Sequence, residues 1–163
     1  MRKILSLFAA AGLLATLTVA AAPVPVNASK AFVKVSGGGT ADFVPTPNSV
    51  TTSGFTDFSV GVSVYNNGAA QGHFVCAIPA VVTISGDVLT GVVNTDGSVT
   101  VSGLAHGYDH VFQTAFSDLP FTVRFRAGMP GVGGFDYFDG SGYFGPGQFD
   151  TELVRRGMIQ IAN

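Results

Sequence analysis

Apolar and polar side chains alternate along most of this chain after residue 28, and the alternating runs stop at glycine, asparagine or aspartate. The segment 58–64 (FSVGVSV) places four apolar side chains on one face and small residues on the other. A period of two is that of a β-strand with one buried face, and no window shows a convincing helical repeat. The pattern therefore predicts half-buried strands of an antiparallel sheet.

The turn residues and the spacing of the runs predict the fold class. Asn66-Asn67-Gly68 and Thr95-Asp96-Gly97 tolerate the positive φ angles that tight hairpin turns need. Residues 37–55 form the least regular part, because Pro45 and Pro47 bar a central strand. Strands are expected near residues 30–36, 56–65, 70–78, 80–85, 88–94, 98–104, 110–116, 121–127, 134–138, 148–153 and 158–162. Such spacing predicts an all-β fold: a single antiparallel β-sandwich or a small, partly closed β-barrel of about 8–11 short strands, with little or no helix.

The same alternation predicts which side chains form the core. Cys76 lies in an apolar strand context (HFVCAI) and is expected to be buried, and as the only cysteine it cannot form an intrachain disulfide. The predicted core faces include Phe58, Val60, Val62, Val64, Phe74, Val99, Val101, Phe121, Val123, Phe125 and Ile159.

The first residues have the layout of a secretory signal peptide. Arg2 and Lys3 precede an uncharged apolar stretch that is followed by small residues and by Pro23. Cleavage is expected after Ala21, with Ala28 as the second choice. The predicted division is a signal peptide at 1–21, a flexible mature N-terminus at 22–30 and one all-β domain at 31–163. The chain is thus expected to be exported, either secreted or periplasmic, with no stable membrane insertion after cleavage.

Charge limits the classes of partner. Charged residues make up 11% of the chain, against about 25% in ordinary soluble domains. Basic residues cluster only at Arg124/Arg126 and Arg155/Arg156, so a nucleic-acid surface is not expected. A surface this poor in charge favours self-association. A cell-surface polymer, an extracellular polymer or a small ligand remains open as a partner.

Four motifs occur in an order that resembles a known family. Gly37-Gly38-Gly39 follows the first predicted strand, QGHF follows the first hairpin, PFTVRFRAGMPGVGGFDYF contains a glycine-rich hairpin, and GMIQIAN ends the chain. This order resembles a family of small secreted bacterial β-domain proteins of uncharacterised function, over residues 31–162. The chain departs from the family pattern at Arg155-Arg156, where glycine or small polar residues are usual. The resemblance implies a β fold and supplies no catalytic residues.

The glycine-rich stretch 127–150 is interpreted first as turns between strands. Its aromatic and acidic side chains could instead stack on a sugar and bind its hydroxyl groups, or serve the core. A small apolar ligand inside a barrel is a variant of this binding hypothesis. A second alternative is a calcium site at Asp136, Asp139, Ser141 and Asp150, although the EF-hand order is not met. The candidate ligand-binding residues are Asp136, Tyr137, Asp139, Tyr143 and Phe144.

Catalytic chemistry finds little support in the sequence. His106, Asp109 and His110, with His73 on another strand, are the candidate ligands of a metal-dependent enzyme. Their spacing does not match a defined metal-binding motif. Solvent-exposed histidines in a loop or at the start of a strand are the better explanation for these residues. No set of nucleophile, base and orienting residue is apparent, and no cofactor is expected. The sequence thus predicts an exported non-catalytic domain that acts through its surface, in binding or assembly.

Overall fold

The computed structural model describes residues 32–44, 54–144 and 151–163, all within one β-domain. The predicted signal peptide, its cleavage site and Asp150 lie outside the described residues. Eight strands form a closed barrel in which each strand pairs antiparallel with the next and the last pairs with the first. The described residues contain no helix, so none could span a membrane. The strands are β1 (Val33–Val44), β2 (Phe55–Val64), β3 (Ala70–Ile78), β4 (Val82–Val93), β5 (Val99–Asp109), β6 (Thr114–Arg126), β7 (Gly134–Asp139) and β8 (Thr151–Ala162).

The prediction of an all-β antiparallel fold, a sandwich or a partly closed barrel, is confirmed in the form of a closed barrel, but several strands are longer than expected. Three pairs of predicted runs merge into β4, β6 and β8, because irregular positions bend these strands without ending them. The pairing of β4 with β5 shifts register between Val88 and Thr90, and Asp118 within β6 has a φ of 57°. The fold therefore has fewer and longer strands than the runs in the sequence suggest.

The expectation that the first strand ends at its three glycines is wrong. β1 continues through them to Val44, with a register shift against β8 between Thr40 and Ala41. Gly39 lies opposite Gly157, with φ angles of 146° and 93°. A Cβ atom on either glycine would overlap a backbone carbonyl oxygen of the other strand. These glycines thus permit a close approach of β1 and β8 where the barrel closes.

Both predicted tight turns are confirmed. Gly68 and Gly97 each adopt a φ of 80°, the left-handed conformation that such turns require. In the first turn the Tyr65 N–H donates to the Ala69 carbonyl at 2.9 Å, and in the second the Asn94 N–H donates to the Ser98 carbonyl at 2.8 Å. The stretch 127–133 is likewise a turn, between β6 and β7.

Because the strands run up and down in sequence, the turns gather at two ends. The lower end carries the turns at 65–69, 94–98 and 127–133, and the upper end carries those at 79–81 and 110–113 and the segment 140–144. The predicted core residues are all buried, and Phe74 packs at its centre against Phe125 and Phe135 with ring centroids 5.4 Å apart in both pairs.

The interior differs between the two ends. The term "lower half" is used for the part of the interior lined by Val33, Val35, Val62, Val64, Val99, Val101, Phe125 and Ile159. The term "upper half" is used for the part of the interior lined by Thr56, Cys76, Ile78, Ile84, Asp109, Phe116, Tyr137, Asp139 and Glu152. The buried carboxylates of the described residues are thus confined to the upper half.

Candidate functional site

The structure does not bring the predicted ligand-binding residues together. Tyr137 points into the barrel and is 2% exposed, whereas the adjacent Asp136 lies on the outer face, as strand alternation requires. Asp136 accepts hydrogen bonds from Arg126 Nη1 at 2.7 Å and from Thr151 Oγ1 at 2.8 Å. These two residues therefore serve the core and a partly buried ion pair.

Asp139 is buried and acts within the turn that follows β7. Its carboxylate accepts hydrogen bonds from the Ser141 N–H at 2.8 Å, the Ser141 hydroxyl at 2.5 Å and the Phe144 N–H at 3.0 Å. This is the side-chain capping that aspartate provides in turns. Asp136 and Asp139 thus have separate local partners, on the outer face and in a turn respectively.

Tyr143 and Phe144 pack with Phe116 at the upper end. The ring centroids of Phe116 lie 5.3 Å from Tyr143 and 5.5 Å from Phe144. Phe144 is partly buried against the core, while Tyr143 is 40% exposed. Of the predicted aromatic ligand residues, Tyr143 alone presents much of its ring to solvent.

The predicted metal ligands are also dispersed. Asp109 is buried at the end of β5, whereas His106 and His110 lie on the outer face. His110 Nε2 lies 3.1 Å from Thr83 Oγ1. His73 lies closer to His106 than the sequence suggests, with ring centroids 6.4 Å apart. Across the described residues, no group of three or more His, Cys, Asp or Glu side chains is arranged to hold a metal ion.

His73 takes part in an arrangement that the sequence analysis missed. Its Nε2 lies 2.6 Å from Ser85 Oγ, and its Nδ1 lies 3.0 Å from Asp87 Oδ1. The order serine, histidine, carboxylate is that of a nucleophile, a base and an orienting acid. The face is open, however, and β3 and β4 are each paired on both sides, which engages their backbone N–H groups. In the part of the chain that the structure describes, the paired N–H groups of β3 and β4 are therefore not free to act as the preorganised oxyanion donors that acyl transfer relies on.

A second arrangement lies inside the upper half, around Glu152. Its side chain is 1% exposed and lines a crevice with Cys76, Tyr137 and two isoleucines that is too narrow for a water molecule. Among the described residues, neither Glu152 Oε2 nor the nearby Thr56 Oγ1 has a hydrogen-bond partner. Such orphaned groups are rare in folded proteins, because burying them costs free energy.

The environment keeps the groups of this crevice protonated. Burial raises the pKa of Glu152 to about 8; the charge of Asp136 adds to the shift, and the Thr56 hydroxyl opposes part of it. Burial also raises the pKa of Cys76 well above its usual value and raises the pKa of Tyr137. A thiol that stays protonated is a poor nucleophile. The crevice is therefore a cluster of neutral hydrogen-bonding groups with aliphatic walls.

The most exposed apolar side chains at the upper end form a surface that we call the upper tip, made of Val81, Val111 and Phe112. They are 44%, 62% and 78% exposed. The two turns that carry them are joined by a hydrogen bond from the His110 N–H to the Val81 carbonyl at 2.8 Å. The tip is thus one continuous feature made by two neighbouring turns.

Asp109 fixes the conformation of the upper tip. Its Oδ1 accepts hydrogen bonds from the N–H groups of Val111 and Phe112 at 2.8 and 2.9 Å. Gln113, at a φ of 55°, donates from Nε2 to the His110 carbonyl at 2.5 Å. A buried carboxylate is therefore used to hold two apolar side chains outward.

Comparison with known proteins adds no relatives: no family model, no curated protein and no solved structure matches this chain.

Proposed function

We propose that this protein is an exported, non-catalytic domain that binds a cell-surface or extracellular partner through its upper tip. The observation that carries the proposal is the tip itself, in which large apolar side chains are exposed on turns that a buried carboxylate fixes in place. Export is inferred from the predicted signal peptide and from the charge-poor composition.

The energetics of the tip favour binding. Exposed valine and phenylalanine side chains gain free energy when a partner removes them from water. Because Asp109 already holds the turn, little conformational entropy is lost when the tip is immobilised by a partner. Rigid apolar anchors of this kind supply most of the affinity in many interfaces.

The surroundings of the tip indicate the chemistry of the partner. Tyr108, His110 and Gln113 flank the apolar side chains and offer hydrogen-bonding groups, and the one acidic group in these two turns, Asp109, faces inward. A charged polymer would find no complementary charge there. The tip instead suits an apolar recess with a polar rim on another protein.

Retention of the mature chain on cell envelopes of the parent organism tests the proposal. The double substitution Val111→Ser and Phe112→Ser should abolish retention and leave the melting temperature nearly unchanged, because both side chains are exposed. The matched control is Met129→Ser with Val132→Ser, since these residues are 68% and 70% exposed at the lower end. Equal retention of both double variants and the parent chain would contradict the proposal.

A further inference from the structure

Glu152 is an ionisable group in a place where its charged form has little support, since among the causes of its pKa shift only the Thr56 hydroxyl favours the charge. It lies on the inward face of β8, one residue after the strand begins, and its Oε2 has no hydrogen-bond partner among the described residues. The ion pairs formed by the described residues do not include it. A carboxylate in such a position must be neutral or must gain water.

The described neighbours of Glu152 on the surrounding strands are neutral or acidic. From β1 it faces Phe43, from β2 Thr56, and from β4 Ile84. From β3 it faces the thiol of Cys76. From β7 it faces the phenol of Tyr137. The charge of Asp136, on the same strand, acts on Glu152, and that of Asp139 acts on Tyr137.

Two arginines, one on β6 and one on β8, are engaged with other acidic side chains. Arg126 is paired with Asp136 on the outer face, at 2.7 Å, and Arg155 with Asp42, at 3.5 Å. No ion pair of the described residues stabilises a charged Glu152, and the charge of Asp136 opposes it.

From this cluster we propose that Glu152 is a proton-controlled switch. The upper half of the barrel stays closed while the carboxyl is protonated, and loss of the proton opens that half to water. The physical reason is that the crevice does not admit a water molecule in its closed form, so the carboxylate can be hydrated only if the surrounding strands separate. Among the residues that the structure describes, the lower half has no buried carboxylate, and it stays closed at the same pH.

The raised pKa, about 8, supports the proposal, since the proton is then lost above neutral pH. The switch goes beyond the proposed binding function and needs no partner for its test. A failed binding experiment would leave the switch standing, and a failed switch would leave binding at the upper tip standing.

The ionisation of Glu152 can be followed directly by NMR. Glu152 is the only glutamate, so labelling glutamate with ¹³C at the carboxyl carbon gives one carboxyl resonance in the NMR spectrum. We expect this resonance to titrate near pH 8 in the folded parent chain. A midpoint below about 6, close to that of an ordinary glutamate, would overturn the proposal.

Cys76 reports the opening, because it is the only cysteine, is 2% exposed and lines the same crevice. The rate at which iodoacetamide alkylates Cys76 is measured in the folded parent chain and in folded Glu152→Gln. Each rate is divided by the rate for the same chain unfolded in urea, which removes the pH dependence of the thiol itself. The ratio of parent to variant should rise about tenfold between about pH 6 and about pH 9, because only the parent can lose the proton. Asp87→Asn, on the exposed outer face of β4, is the control and should behave like the parent. A ratio that does not change with pH would overturn the switch.

Discussion

Inward side chains in the lower half of the barrel are valine, isoleucine and phenylalanine, whereas the upper half places two aspartates, a glutamate and a threonine among its apolar residues. The same eight strands run through both halves. The lower half thus depends on apolar burial and close packing, while the upper half also depends on how each buried polar group is satisfied.

Within the upper half, the three carboxylates differ in a way that explains their roles. Asp109 and Asp139 each accept hydrogen bonds from two backbone N–H groups in the turn that follows. Glu152 Oε2 has no such donor among the described residues. The comparison teaches that a buried carboxylate can organise a turn when backbone amides face it, whereas Glu152, which lacks such donors, has its pKa raised by burial.

The largest expected effect concerns the lower half. Phe125 is fully buried and packs against Phe74 with ring centroids 5.4 Å apart, so Phe125→Ala should lower the free energy of unfolding by ~3–5 kcal/mol. The loss should be the same at acidic and neutral pH, and urea denaturation measures it. The control is Phe138→Ala, which removes a 48% exposed ring on the outer face of β7 and should cost much less. Similar losses in both variants would break the distinction between core and outer face.

The next effect belongs to the upper half and depends on pH. The folded pKa of Glu152, about 8, lies above its ordinary value of 4.5, so the stability linked to this proton is present below pH 4.5 and is lost as pH rises through 8. One pH unit within that window corresponds to about 1.4 kcal/mol. Glu152→Gln should therefore be more stable than the parent by ~2–3 kcal/mol near neutral pH and should lose most of this advantage in acid. Urea denaturation across the pH range measures it, and parallel curves for the two chains would contradict the account.

A smaller effect is expected at the turn beside the upper tip. Asp109→Ala leaves the N–H groups of Val111 and Phe112 without their acceptor and should cost ~1–2 kcal/mol. It should also speed hydrogen exchange at these two amides. Asp109→Asn keeps an acceptor oxygen and should recover much of the loss. If the alanine variant left both amides as protected as in the parent, the carboxylate would not be what orders the tip.

The inward faces could be predicted because they follow from a local period of two. The predicted core residues are all buried for that reason, and Tyr137 and Asp136 point to opposite sides by the same rule. Closure of the barrel could not be predicted in this way, since the pairing of β1 with β8 joins residues more than a hundred positions apart. The length of β1 was not predicted because three consecutive glycines usually indicate the end of a strand. Here they permit close contact between strands.

The candidate sites needed the register between strands, which the sequence does not show. His73 meets Ser85 and Asp87 because β3 pairs with β4 in one particular register. Glu152 lies in the segment DTELVRRG, where charged residues flank a short apolar pair and the inward face is ambiguous. The one sequence signal that Glu152 points inward is its position two residues before the apolar Val154. The side chains that surround Glu152 without donating a hydrogen bond to its Oε2 come from β2, β3 and β7. These contacts exist only after the barrel has closed.

Residue-resolved hydrogen exchange at about pH 6 and about pH 9, corrected for the intrinsic exchange rates, tests the difference between the halves most directly. The amides of Cys76, Tyr137 and Glu152 should lose protection at the higher pH, while those of Val62, Val101 and Phe125 should keep it. In Glu152→Gln neither group should change. An equal change of protection in both halves of the parent chain, or none in either, would contradict the account.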